Sequence, residues 1–502
     1  MIMITSSKDE FLNDIHDLVK AFYPDEQLNI STVSGTVGRN AENSSAGGHS
    51  AAEPEDEPLF KIIADLDDSI GITIVKGGNI LYSESVHAGR TDRRRYKNCL
   101  KRVLYRGLSE LTGNRLPWGT LTGVRPVKIA FERLEHEESK ADIAAYMREE
   151  YLCSGEKTEL SLQVAGRELE LLRKMDYRNG YSVYIGIPFC PSTCLYCSFT
   201  SYSLDRFGSM TEQYLQALFK EIDYAGTCCK GKKLITVYLG GGTPTTLSEG
   251  QLDRLLDHIG KSFDFKHVME YTVEAGRPDS ITRDKLNILM EHGVSRISIN
   301  PQSMRQKTLN IIGRRHTVEQ VTEAFHMARS CGHDNINMDI IIGLPGEDKE
   351  DVEYTLREID KLKPDSLTVH TLALKRAARL NIEKEEYRSL VSKGASDMLE
   401  LTAEYARQAH YLPYYLYRQK NMADNLENIG YAHYGKEGLY NILIMEEKQT
   451  ILALGAGALS KFIFYDENRI ERVENVKSLK DYIGRIDEMI ERKQVFFDKH
   501  II

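Results

Sequence analysis

The chain has 502 residues, with 65 Lys and Arg against 74 Asp and Glu for a net charge of −9, and 41% of it is hydrophobic. This usage is that of an ordinary globular protein rather than a disordered chain, and the acidic balance argues against nucleic acid or an anionic membrane as partner. No run approaches the ~20 apolar residues of a membrane helix, and the start, MIMITSSKDEF, lacks the basic-then-apolar order of a secretory signal, so a cytoplasmic protein is expected.

In chain order, the first boundary is residues 33–58, rich in Gly, Ser, Ala and acid and almost without large apolar side chains. Such a stretch cannot repay the entropy of ordering and is expected to be a flexible insert. LFKIIADL and GITIVKGGNILYSESV follow as strands, the second pair turning at Gly77–Gly78. YKNCLKRVLYRGLSEL and the stretches near 139–152 and 159–176 have helical spacing. Residues 1–177 are therefore expected to form an α+β unit, with the single tryptophan, Trp118, packed in a structural turn. From Tyr181 onward, strands alternate with helices: VYIGIP, ITVYLGGG, EYTVEA, SRISIN, INMDIIIGLPG and SLTVHTL. Six strands with helical crossovers predict a parallel sheet in an open or partial barrel over 178–380, with ligands at the strands' C-terminal ends. Residues 381–502 are expected to be a mainly helical region on the substrate side, with a tyrosine-dense loop.

Three of the eight cysteines, Cys190, Cys194 and Cys197, fall in IPFCPSTCLYCSFTSY, just after the first of these strands. Their spacing would share one helix face, but Pro188 and Pro191 oppose a helix there. Three thiols therefore converge from a loop, a donor set suited to zinc or an iron–sulfur cluster. Structural zinc wants four ligands, whereas three cysteines on a four-iron cluster leave one iron open.

C-x-x-x-C-x-x-C with Tyr196 before the last cysteine resembles the signature of the radical S-adenosylmethionine (SAM) superfamily. Members hold SAM on the open iron of a [4Fe–4S] cluster and cleave it reductively to a 5′-deoxyadenosyl radical. Gly240–Thr245 (GGGTPT) resembles the loop that binds the amino group of SAM, carrying Gly241, Gly242 and Thr243. The resemblance places Glu274 near the methionine part, Gln302 at the ribose, Arg314 at the methionine carboxylate and Asp339 at a ribose hydroxyl.

Over about 181–371 the chain is similar to the oxygen-independent coproporphyrinogen III oxidase-like branch. LTGVRP (121–126), HTLALKRAARL (370–380) and YYLYRQKNMADNLENIGY (414–431) resemble the HemZ-type coproporphyrinogen dehydrogenases of that branch. The resemblance implies anaerobic oxidative decarboxylation of coproporphyrinogen III to protoporphyrinogen IX, fed by a reduced donor such as flavodoxin or ferredoxin. Lys375, Arg376 and Arg418 are the candidate clamps for the substrate's carboxylates, and no residue is assigned a catalytic role. Ser198 stands where the better-known oxidase carries a fourth cysteine nearby, and the N-terminal unit is of another kind. Three alternatives therefore stay open: a heme-binding chaperone, a heme-modifying radical SAM protein and a zinc-stabilised binding protein.

Overall fold

The structure, a computed structural model, describes residues 1–32, 58–373, 394–419 and 426–499. Nearly all of the insert at 33–58 lies outside them, as do Lys375 and Arg376. The chain divides into two compact units, Met1–Leu162 and Gln163–Ile502.

In the first unit, β1 (Ile2–Ser6), β2 (Leu28–Thr32), β3 (Phe60–Leu66), β4 (Ser69–Lys76) and β5 (Asn79–His87) form one sheet in the order β2-β1-β3-β4-β5. Alternation puts Phe60, Ile62, Ala64 and Leu66 of β3 on one face with Ile70, Ile72 and Ile74 of β4. That face is covered by α1 (Leu12–Phe22) and α2 (Arg93–Thr112) through Ile15, Leu18, Leu100, Val103 and Leu104. Asp92 caps α2 by accepting from the Arg95 amide, and Gly113 ends it at φ 70°. The β4–β5 hairpin turns on Gly77 and Gly78, both at positive φ, as its sequence implied. Two further helices follow, α3 (Lys128–Glu135) and α4 (Lys140–Tyr151). Trp118 is buried in its turn, with the Cys153 thiol donating to its carbonyl. β1 and β2 were not apparent in the sequence because five-residue strands carry too little pattern, whereas α1, with its apolar face of Ile15, Leu18, Val19 and Phe22, went unread.

The boundary between the units falls inside α5 (Gly155–Arg173) rather than at the expected residue 177. The second half of this helix belongs to the second unit because the buried Arg167 guanidinium pairs with Glu437 and lies over the ring of Tyr434.

The second unit is built on six parallel strands, β6 (Gly180–Ile187), β9 (Lys233–Gly241), β10 (Glu270–Gly276), β11 (Arg296–Ile299), β12 (Ile336–Ile342) and β13 (Ser366–Thr371). A two-residue pair, β7 (Phe189–Cys190) and β8 (Tyr202–Ser203), brackets the cysteine segment. Helices α6 (Leu204–Phe207), α7 (Thr211–Cys228), α8 (Glu249–Ser262), α9 (Arg283–Glu291), α10 (Gln306–Ile311), α11 (Val318–Ser330) and α12 (Lys349–Leu362) make the crossovers. The strands are almost wholly buried, the mark of a parallel sheet covered on both faces. This is the expected α/β partial (β/α)6 barrel.

The stretch 381–502, expected to be mainly helical, also carries strands that join the barrel's sheet. Besides α13 (Ala395–Gln408), α14 (Leu439–Glu446), α15 (Leu479–Gly484) and α16 (Ile486–Lys499), this stretch contributes five strands to the same sheet. β14 (Leu412–Tyr417) and β15 (Asn428–Ala432) extend it beyond β13, and β16 (Thr450–Leu454), β17 (Leu459–Phe464) and β18 (Arg469–Glu474) extend it beyond β6. The tyrosine-dense segment is therefore a strand in its described part, as suits its aromatic residues.

α14 sits at the start of the barrel strands. Glu270, at the first residue of β10, accepts from the amides of Leu439 and Tyr440 and so caps that helix. Tyr440 then stacks on Tyr238 at 4.4 Å and Tyr184 at 6.2 Å, filling the barrel's interior from below.

Candidate active site

The side chains singled out in the barrel lie on its strands or beyond their C-terminal ends, except Arg314, which follows α10. Pro188 and Pro191 keep residues 191–201 out of helix, as their restricted geometry implied. The segment is tied down by backbone bonds: the Thr243 amide donates to Phe189 O at 2.7 Å and the Leu195 amide to Ile312 O at 3.0 Å. The Thr243 hydroxyl points at the Cys190 sulfur, 3.8 Å away.

The glycines at the end of β9 serve this approach. A Cβ on Gly242 would lie 2.5 Å from Phe189 O, and one on Gly240 would lie 2.9 Å from the Glu274 carboxyl, while Gly241 takes φ 105°. The space they leave is used by the protein's own segments, so they act by letting β9 meet the cysteine segment and β10.

Burial first, then the neighbouring Cys194 and Cys197, push the Cys190 thiol up to about 11, while Thr243 and Arg277 pull the other way. Among the described residues, no three His, Cys, Asp or Glu side chains form a ready metal cage. None of the eight cysteines is in a disulfide. The three thiols on one non-helical segment still fit a soft, iron–sulfur donor set, which must lose its protons as metal binds.

Glu274 accepts a 2.5 Å hydrogen bond from the Tyr238 hydroxyl inside the barrel. Burial raises its carboxyl to about 7 against that bond, with the charge of Asp339 adding to the rise. Asp339 accepts from Asn337 at 2.6 Å and faces His370 Nε2 at 3.8 Å. Burial would push Asp339 up, but His370, Asn337 and Thr368 hold it below the usual carboxylate range. His370 in turn faces the Tyr417 hydroxyl at 3.5 Å.

Gln302 follows β11 and bridges to β12, its amide donating to Asp339 O and its carbonyl accepting from Ile341, both at 2.9 Å. It is buried at φ 67°, and its side-chain oxygen has no partner among the described residues. A buried, unpaired amide oxygen on strained backbone suits a ligand contact.

Arg314 is buried, its Nη1 donating to the Tyr196 hydroxyl at 3.1 Å and its Nη2 to Asn300 O at 2.6 Å, which leaves Nε unpartnered among the described residues. Arg315, its neighbour, is exposed and faces Asp205. Arg314 thus links the cysteine segment to the end of β11.

Arg418 directly follows β14 and is buried rather than solvent-facing. Tyr414 is wholly buried beside Gly438, so it is no wall of an open site. His433 stacks on Tyr411 at 4.3 Å by the start of β13, away from the strands' C-terminal ends. Sequence reasoning passed over Arg277, Ser192, Tyr238, Asn300 and His316. His316 is fully buried, with both ring nitrogens unpartnered among the described residues, and burial followed by the Arg314 charge lowers it to about 3. The charged run GRPD directly after β10 was the one available signal, since a buried arginine needs partners.

A six-stranded parallel barrel with a three-cysteine segment after its first strand and a glycine-rich end on its second defines a radical SAM-type protein. The family model described as the Radical SAM superfamily matches residues 184–359. Over 89% of its length the chain is 40% identical to the oxygen-independent coproporphyrinogen-III oxidase-like protein HemZ of Bacillus subtilis, covering 92% of it. It is also 31% identical to the heme chaperone HemW of Bacillus subtilis, over 61% of this chain and 76% of HemW. Among solved structures, coproporphyrinogen III oxidase (HemN) from Escherichia coli matches in fold with a TM-score of 0.51 at 24% identity, over 64% of this chain and 73% of that one. The chain therefore belongs to the radical SAM superfamily, in its HemN/HemZ-like branch. Its cofactors are those of the superfamily, a [4Fe–4S] cluster and SAM. No helix among the described residues is long and apolar enough to cross a membrane.

Proposed function

We propose that the chain oxidatively decarboxylates two propionates of coproporphyrinogen III to vinyl groups, giving protoporphyrinogen IX in heme biosynthesis. In this reading Cys190, Cys194 and Cys197 hold the cluster. Glu274, Gln302, Arg314 and Asp339, with the backbone of Gly241, Gly242 and Thr243, receive SAM, and Tyr196 braces Arg314. The observation that carries the SAM assignment is the unpaired, strained Gln302 between Glu274 and Asp339 on neighbouring strands. Together, cluster and SAM supply hydrogen-atom abstraction from an unactivated carbon.

Each propionate loses a hydrogen atom from its β-carbon, then CO2, and passes one electron to an acceptor. The protein's share is to hold the tetrapyrrole at the strand ends and keep water out. His370 and Tyr417 line that end of the barrel, and Arg418, with Lys375 and Arg376, would clamp carboxylates. A reduced flavodoxin or ferredoxin would supply electrons, in the cytoplasm. The substrate assignment is supported by identity to HemZ across most of both chains.

Anaerobic incubation with SAM, dithionite and coproporphyrinogen III is expected to release CO2 and form protoporphyrinogen, read by mass spectrometry. Cys194→Ala is expected to abolish both the cluster and the products. The match to a protein named as a heme chaperone supports a second reading, heme binding without turnover. Stoichiometric heme binding with no CO2 would favour it, and SAM consumption driven by heme would point to heme modification.

A further inference from the structure

Beneath the cysteine segment lies an ion pair outside the ligand set assigned above. Arg277, one residue past β10, is 3% exposed. Its Nε and Nη2 donate to the two carboxylate oxygens of Asp279, at 3.0 and 2.7 Å. The remaining nitrogen, Nη1, turns to Ser192 and donates to its carbonyl at 3.2 Å and its hydroxyl at 2.8 Å. Ser192 lies between Cys190 and Cys194, and its hydroxyl donates onward to Gly313 O at 3.3 Å.

The segment is thus held from three sides. Thr243 fixes the residue before Cys190, Ile312 fixes Leu195 between the second and third cysteines, and Arg277 fixes the stretch between the first and second. The first two anchors are backbone bonds. Arg277 supplies a charged side-chain anchor whose fork is oriented by a bidentate carboxylate.

We propose that Arg277, oriented by Asp279, is a positioning residue that holds Ser192 and thereby presents Cys190 and Cys194 to the iron–sulfur cluster. This rests on the reading that Cys190, Cys194 and Cys197 are the ligands. Groups that orient metal ligands change metal retention by roughly 10- to 100-fold when removed.

The test uses full-length, anaerobically reconstituted protein. The double variant Arg277→Gln/Asp279→Asn leaves no lone buried charge, Ser192→Ala removes the hydroxyl half of the contact while the carbonyl half stays, and Arg277→Lys keeps the charge but loses the fork. The readouts are the rate of iron loss to a chelator, the electron paramagnetic resonance signal of the reduced cluster, and melting of the cluster-free protein. Iron loss is expected to be ~10-fold faster in the double variant, with an altered signal and near wild-type melting. Ser192→Ala should shift in the same direction and Arg277→Lys should fall between. Wild-type iron retention and signal in the double variant would overturn the proposal, as would iron loss that merely follows loss of the cluster-free fold across all variants. If Cys194→Ala keeps a wild-type cluster, the ligand reading fails and takes this proposal with it. If Cys194→Ala loses the cluster while the double variant keeps it, only the positioning role fails.

Discussion

Gln302 holds a left-handed backbone at φ 67° with no glycine to ease it, a conformation costing of order 1 kcal/mol that persists only where neighbours enforce it. Here β12 enforces it through two backbone bonds, so strain and an unpaired amide oxygen coincide. Glu274 makes a similar point in charge. Its carboxyl is raised from 4.5 to about 7, so between those values the folded chain keeps a proton that the unfolded chain has released. The stability of SAM-free protein should therefore fall as pH rises through that window and level off above about 7. Glu347, likewise raised to about 7 by burial, adds a slope of the same sign. Glu274→Gln is expected to remove its own share, up to ~3 kcal/mol at full ionisation. Denaturant melts of both proteins at a series of pH values check this, and parallel curves would refute it. At this scale the spacing of the cysteines and the glycine run could be read from the sequence, and Gln302 was singled out through the family resemblance. Arg277 and Tyr238 were not, since their roles arise from partners 85 and 36 residues away in the chain.

Among the elements, the end of β9 has little tolerance for change. The Cβ of Gly242→Ala would press on Phe189 O, a backbone atom that cannot swing aside. Overpacking of this kind costs ~1–3 kcal/mol, and here the strain falls on the residue before Cys190. Gly242→Ala is expected to lose cluster retention more than it loses fold, as iron content and cluster-free melting would show. Equal iron in variant and wild type would mean that the segment moves without cost. The barrel strands were legible because all-apolar runs between helices have few other readings. β14, by contrast, reads LPYYLY, which carries a proline and no polar alternation and so looked like a loop. Its strand form depends on the antiparallel pairing with β15 that continues the sheet beyond β13.

Across the second unit, the last helix is locked to the first crossover by a wholly buried ion pair. Lys493 of α16 donates to Glu221 of α7 and to Asn475, each at 2.6 Å. Glu221 also accepts from the Gly455 amide and the Tyr482 hydroxyl. Removing one partner of such a pair strands the other charge, at ~3–5 kcal/mol. Lys493→Met is therefore expected to lower unfolding stability by about that amount, and Lys493→Met/Glu221→Leu to recover part of it. A single variant that melts like wild type would refute the coupling. By itself the sequence determined the barrel's strand order of appearance and the superfamily, because hydrophobic period and motif spacing are local properties of the chain. Only the tertiary structure decided that residues 412–474 complete the barrel's own sheet, that α14 fills its floor, and that Arg277 holds the cysteine segment. Each of these joins residues far apart in sequence through burial and hydrogen bonding, and no local pattern encodes which distant partner a buried charge or a sheet edge will meet.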